Sequence, residues 1–276
     1  MLTIIVPVYN EEKAIKQFHQ TMTGAMQSSA IAYELLYVND GSIDATGAIL
    51  KDIGARVVHL EQNRGYGAAL KIGIMQCTST VVAIIDCDGT YDPADIPLLF
   101  KHMEEADMVI GRRPAHLGIR TFPKWILKAV ASYAVSYAIP DLNSGIRLFK
   151  RDLALKLMNL LPNGFSFTST ITMAALYRAY RVRFVPVTYS KRVGVSKIRP
   201  VQSFLGFTML IARTMILFEP LKFFIPPSLL FAGIGLIFLI RDIMANNLAQ
   251  ASILMITNSF ILLAIGLLAE AIRCKN

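Results

Sequence analysis

The first hundred residues alternate short apolar runs of strand length with longer stretches of helical period. Leu2–Val8, Tyr33–Asn39, Arg56–Leu60 and Thr80–Ile85 read as strands, rich in β-branched and aromatic side chains and bounded by turn residues. Between them, Glu11 to about Ser28, Ile43–Ile53 and Tyr66–Gln76 read as helices, the second opened by Ser42 and Asp44 as capping candidates. This β-α-β-α rhythm predicts an α/β fold built on a parallel, doubly wound sheet. Farther on, Asp141–Lys150 returns from loop to strand, Ile171–Tyr180 is helical, and Arg183–Tyr189 is an extended run broken by Pro186. The chain ends differently. Phe223–Ile240 carries no charge over 18 residues and Ile243–Ala269 none over 27, each enough to cross a hydrocarbon core of about 30 Å. They predict a two-span hairpin over 220–276, with spans at about 221–240 and 249–271.

Composition supports that reading. Hydrophobic residues make up 54% of the 276 and charged ones 17%, too apolar for an ordinary soluble protein. The net charge of +9 is unevenly spread: residues 1–100 hold 6 Lys/Arg against 11 Asp/Glu, residues 101–220 hold 18 against 6. A basic second half ahead of membrane spans points to anionic lipid or phosphate and away from nucleic acid. The positive-inside rule then puts residues 1–220 in the cytoplasm. The N-terminus begins directly on a strand, so no secretory signal is expected. Within the basic half, Arg112, Arg113, Arg120, Lys124 and Lys128 interleave with Trp125 and aliphatic residues, which predicts an interfacial helix over about 113–139 in a domain spanning 1–200. Val201–Phe218 is apolar except for Arg213, and the segment 201–219 is expected to lie in the interface plane, because a third span would bury that arginine. Cys77, Cys87 and Cys274 have no metal or redox spacing.

Candidate chemistry gathers at the strand ends. Asp86-Cys87-Asp88-Gly89 closes the fourth strand, and loops at the carboxyl ends of parallel strands are where open α/β sheets bind ligands. Two carboxylates without His or Cys of ligand spacing suit Mg²⁺ or Mn²⁺ shared with substrate phosphates. Three further loops should face the same crevice: Pro7–Glu11, Asn39–Ser42 and Asn63–Gly67. Gly65-Tyr66-Gly67 lacks the spacing of a dinucleotide fingerprint and follows the third strand, which excludes a Rossmann dehydrogenase. Its glycines are expected to let the backbone approach a ligand at a helix N-terminus that favours anions.

Six motifs, in order along the chain, carry a resemblance: Val6–Glu11, Asn39–Thr46, Asn63–Ala69, Asp86–Asp88, Ser144–Arg147 and Gly194–Lys197. The chain resembles family-two, type-A-fold glycosyltransferases, specifically the membrane-bound polyprenyl-phosphate glycosyltransferases related to dolichyl-phosphate mannose synthase. The resemblance implies inverting transfer of a sugar from a UDP- or GDP-linked donor to a polyprenyl phosphate. It implies that Pro7, Tyr9, Glu11, Asp40, Gly65 and Asp86 bind the nucleotide. Asp86 and Asp88 would position the metal ion. Thr90 stands where mannose synthases carry a Gln that can join the metal shell. Asp88, Arg147 and Lys197 would be the catalytic centre, and Ser144, Arg147, Arg192, Ser196, Lys197 and Arg112 would hold donor or acceptor phosphate. Self-association into a homo-oligomer is left open. No Gln-x-x-Arg-Trp motif of processive polysaccharide synthases is present. Two rivals remain: a membrane-anchored transferase with a soluble, glycolipid or polysaccharide acceptor, and a catalytically silent scaffold.

Overall fold

The computed structural model describes residues 1–114, 122–164, 166–190, 209, 212–213, 215–247 and 249–275, with the backbone alone over 122–128. The chain divides into two units, Met1–Phe207 and Thr208–Asn276.

The first unit is built on a seven-stranded sheet of order β3-β2-β1-β4-β6-β5-β7. Its strands are β1 (Leu2–Val8), β2 (Tyr33–Asn39), β3 (Arg56–His59), β4 (Val81–Ile84), β5 (Met108–Arg112), β6 (Arg147–Lys150) and β7 (Val182–Pro186). β1 is parallel to β2 and β4, and β2 to β3, so these four strands present their carboxyl ends on one rim, as the β-α rhythm predicts. The sheet is not parallel throughout. β6 runs antiparallel between β4 and β5. The chain leaves β5 at that rim, and after the 113–146 excursion re-enters the sheet from the same rim, which obliges β6 to run backwards.

Alternation along β1 sends Leu2, Ile4, Val6 and Val8 to one face, where they share a core with Ile15, Phe18, Met22 and Met26 of α1 (Ile15–Gln27). Those four recur at near-helical spacing, so one stripe of α1 closes the sheet face. On the other face α3 (Tyr66–Gln76) buries Ala69, Leu70, Gly73 and Ile74. A Cβ at Gly73 would stand 2.7 Å from Cγ2 of Ile5, so this glycine sets how closely α3 lies on β1. The remaining helices of this unit are α2 (Thr46–Asp52), α4 (Asp95–Lys101), α5 (Phe122–Val135), α6 (Arg151–Leu157) and α7 (Phe167–Tyr177). α5 falls inside the segment expected to be interfacial, and α7 starts four residues before the predicted Ile171. α2 starts later than predicted because Ser42 and Asp44 are used elsewhere: Ser42 Oγ accepts the Asn10 N–H at 3.0 Å, and Asp44 accepts those of Thr46 and Glu12.

The second unit is a helical hairpin of α8 (Pro220–Met244) and α9 (Gln250–Lys275). At 1.5 Å per residue the two helices are about 38 and 39 Å long, enough for a bilayer core. Only 11% and 17% of their apolar windows are buried, so these are not core helices of a soluble fold. Apart from Pro220, the buried residues recur every seven among the described ones: Ser228, Gly235 and Asp242 on α8, Ser252, Ser259 and Gly266 on α9. Small residues at heptad spacing let two backbones approach where lipid supplies no hydrophobic drive. Ser228 Oγ donates to the Ser259 carbonyl at 2.9 Å, and Asp242 accepts from the Ala249 N–H at 2.9 Å and from the Ser252 hydroxyl, closing the turn. Most of 201–219 lies outside the described residues, as does 191–200.

Candidate active site

One run of hydrogen bonds stitches the four strand-end loops together. From the β1 loop, Asn10 Oδ1 accepts the Ile43 N–H at 2.9 Å, and the Glu11 N–H donates to Thr46 Oγ1 at 2.8 Å. From the β2 loop, Asp40, 3% exposed, accepts the N–H groups of Arg64 and Gly65 at 2.8 and 2.9 Å, one on each carboxylate oxygen. From the β3 loop, the Tyr66 hydroxyl donates to Asp86 Oδ1 at 3.0 Å. Tyr9, Glu11, Asp40, Gly65, Asp86 and Asp88 therefore stand on consecutive, connected loops of one rim, with Pro7 in β1 itself, next to its last residue.

The glycines of the β3 loop have a different use from the one expected. Gly65 has φ +97°, and a Cβ there would lie 2.6 Å from the Asn163 carbonyl oxygen; one at Gly67 would strike the Pro162 carbonyl. The Ala68 N–H donates to Asn163 O at 3.0 Å. The close approach is thus made by the 162–164 backbone, and the first turn of α3 spends an N–H on it.

The register of β4 and β6 explains the next contact. Ile84 pairs with Arg147, so extending that antiparallel ladder by two residues sets Asp86 opposite Gly145. A Cβ at Gly145 would lie 2.8 Å from the Asp86 carboxyl carbon and overlap its Oδ2. Any other residue at 145 would displace the carboxylate. The Gly145 N–H donates to the hydroxyl of Tyr91 at 2.8 Å; Tyr91 is 5% exposed, and burial holds its pKa up at about 12. Tyr189 meets the Tyr91 ring edge-on, and the Arg113 guanidinium lies over Tyr189 while forking onto Asp141 with two 2.7 Å bonds. Sequence reading missed Tyr91, Asp141 and Tyr189.

Asp88 is buried, and its Oδ1 accepts both the hydroxyl and the N–H of Thr90, at 2.6 and 3.0 Å. Thr90 is thereby positioned as a support for Asp88. Among the described residues no three His, Cys, Asp or Glu side chains form a metal cage. A two-carboxylate site fits Mg²⁺ or Mn²⁺, which commonly take one or two carboxylates and complete their shells with phosphate and water.

Ser144 and Arg147, expected at the phosphates, have no exposed surface. Arg147 Nη1 donates to Thr168 O at 2.7 Å and Thr172 Oγ1 at 2.9 Å, and Nη2 to Ser144 O. Its Nε has no partner among the described residues. Burial pulls the Arg147 pKa down, opposed by Tyr66, Tyr91, Asp141 and Asp86, and an arginine stays charged regardless. The burial of Arg147 has a physical origin: β6 is a central strand, and its first residue points into α7. Arg147 braces the 144–145 turn against Asp86. Arg112 is exposed at the end of β5. Lys197, Arg192 and Ser196 lie outside the described residues. His19 and His59 are engaged with Tyr37 and Asn39, at 3.0 and 3.1 Å.

Residues 3–176 match the model of glycosyl transferase family 2, and residues 219–273 match that of the GtrB C-terminal hairpin. A dodecaprenyl-phosphate galacturonate synthase from Rhizobium johnstonii is 26% identical, over 98% of this chain and 87% of the relative. A dolichyl-phosphate hexose transferase from Haloferax volcanii is 29% identical, over 72% of this chain and 87% of that one. In structure, the glucosyl-3-phosphoglycerate synthase of Mycobacterium tuberculosis, solved with Mn²⁺, uridine diphosphate and phosphoglyceric acid, superposes with a TM-score of 0.63 over 78% of this chain and 77% of its own, at 22% identity. That likeness shows the type-A glycosyltransferase fold. With the family model covering most of the sheet domain, the chain belongs to glycosyl transferase family 2 and is a glycosyltransferase with a C-terminal hairpin.

Proposed function

We propose that this enzyme transfers a sugar from a nucleotide-sugar donor to the phosphate of a membrane polyprenyl phosphate, with inversion at the anomeric carbon. The observation that carries it is the union, in one chain, of a two-carboxylate strand-end site and a small-residue membrane hairpin, along with a polyprenyl-phosphate sugar synthase alignable over nearly the whole length. In this reading the connected loops of Pro7–Glu11 and Asp40 hold the nucleoside, and Asp86 and Asp88 face the donor diphosphate. A bound Mg²⁺ or Mn²⁺ would supply charge neutralisation on the departing nucleoside diphosphate. The acceptor is an anion already ionised at neutral pH, so the chain needs to align two anions more than to remove a proton. Lys197, Arg192, Ser196 and exposed Arg112 are assigned to those phosphates, and the catalytic domain to the cytoplasmic face.

A soluble acceptor is the second reading, favoured by the phosphoglyceric acid in the structural neighbour. Acceptor competition separates the two. With labelled nucleotide sugar and the detergent-solubilised enzyme, label should enter the organic phase only when polyprenyl phosphate is supplied. Label transferred to phosphoglycerate or another water-soluble acceptor, with none in lipid, would establish the alternative.

A further inference from the structure

We propose that Tyr66 is a positioning residue for the transfer reaction: its hydroxyl grips one oxygen of Asp86 while Gly145 backs the other, so that the carboxylate meets the donor in a single orientation. The inference rests on the glycosyltransferase donor site described above.

Three observations converge on it. First, the base of the tyrosine is fixed. Tyr66 opens α3, and the start of that helix is pinned by the positive φ of Gly65, by the Gly65 N–H on Asp40, and by the Ala68 N–H on Asn163. Second, the half-buried Tyr66 carries its hydroxyl to Asp86 Oδ1 at 3.0 Å, a charge-assisted bond of the stronger class. Third, the opposite side of the carboxylate is a wall: Gly145 leaves no room for movement toward β6, and its own N–H is tied to buried Tyr91 at 2.8 Å. A phenol keeps its proton at neutral pH and a carboxylate only accepts, so the hydroxyl is the donor of this bond. An Asp at a strand end would otherwise sample several rotamers. The two walls confine it.

The test uses the full-length protein in detergent and reads binding of a nucleoside diphosphate with Mn²⁺ by calorimetry, alongside donor kinetics. Tyr66→Phe removes the hydroxyl and keeps the ring. It should weaken that binding about tenfold and raise the donor KM to match, the size expected for losing one bond to a charged group. The melting midpoint should stay within about 2 °C of wild type. In an Asp86→Asn background, Tyr66→Phe should cost less than about twofold more, because the two side chains act as one unit. Equal losses in both backgrounds would mean that the hydroxyl touches the ligand directly, and would overturn the proposal. Unchanged affinity in Tyr66→Phe would overturn it too, as would a loss that merely follows a fall in the melting midpoint. Wild-type protein that binds neither uridine nor guanosine diphosphate would sink the donor reading itself and the proposal with it, a failure visible before any variant is made.

Discussion

At the scale of single residues, Arg147 departs most from the sequence pattern. Asn143-Ser144-Gly145 ahead of it reads as an exposed turn, and an arginine after such a turn suggests a phosphate fork. Nothing local reveals that the strand it opens is central, or that Thr168 and Thr172 wait on a helix that starts four residues before its apolar period indicates. Such burial arises from pairings over 20 or more residues, which a linear reading does not contain. The placement changes the expected phenotype. Arg147→Lys keeps the charge but abandons bonds to Thr168, Thr172 and Ser144, and should destabilise the protein by about 2–4 kcal/mol. Its melting midpoint should fall by several degrees, with activity falling in parallel. A variant that melts like wild type yet loses affinity for polyprenyl phosphate would return Arg147 to the rim. Asp86, Asp88, Asp40 and Glu11 were legible because turn residues after apolar runs mark strand ends whatever the partners.

At the scale of elements, two features follow from packing that hydropathy conceals. The amino-terminal edge of β5 is held by Asp107, which accepts from Lys150 Nζ at 2.7 Å and from the Arg181 N–H at 3.0 Å. Burial alone would raise this carboxyl, but Lys150 and the backbone and side chain of Arg181 outweigh it and hold it at about 2. Its folded pKa is below the ordinary 3.8, so the contribution to stability is present above about pH 4 and fades as the pH falls through 2. Partial exposure screens it to about 1–2 kcal/mol. Asp107→Asn should therefore lower the melting midpoint at pH 7, with the gap closing toward pH 2; a gap independent of pH would contradict the assignment. The hairpin is the second case. The length of its uncharged runs was legible, and the helices observed, Pro220–Met244 and Gln250–Lys275, overlap the spans expected at about 221–240 and 249–271. The seven-residue recurrence of Ser228, Gly235 and Asp242 against Ser252, Ser259 and Gly266 was equally present, but run length alone does not register it. A Cβ at Gly235 would stand 2.8 Å from Ile256, so Gly235→Leu should separate α8 from α9, read as loss of folded protein after solubilisation. Leu236→Ala, on an exposed position beside it, should be tolerated. Equal tolerance of both would refute the seam.

At the scale of the whole molecule, the acidic first hundred residues supply the connected strand-end loops, the basic middle supplies cations, and the hairpin supplies two helices long enough for a bilayer. The order of these parts was readable from charge and hydropathy alone. The reversed strand β6 was not, although it sets Gly145 against Asp86 and so shapes the site. The central claim is that this assembly joins one sugar to one lipid phosphate. Its most direct measurement incubates the full-length enzyme with polyprenyl phosphate, Mn²⁺ and a panel of UDP- and GDP-linked sugars, then determines by mass analysis both the lipid and the nucleotide released. The account predicts, for one donor, a polyprenyl phosphate heavier by a single glycosyl unit and an equal amount of nucleoside diphosphate. Both products should disappear with excess chelator and in Asp88→Asn. Lipid recovered unchanged across the whole panel, or product formed undiminished by chelator and by Asp88→Asn, would contradict it.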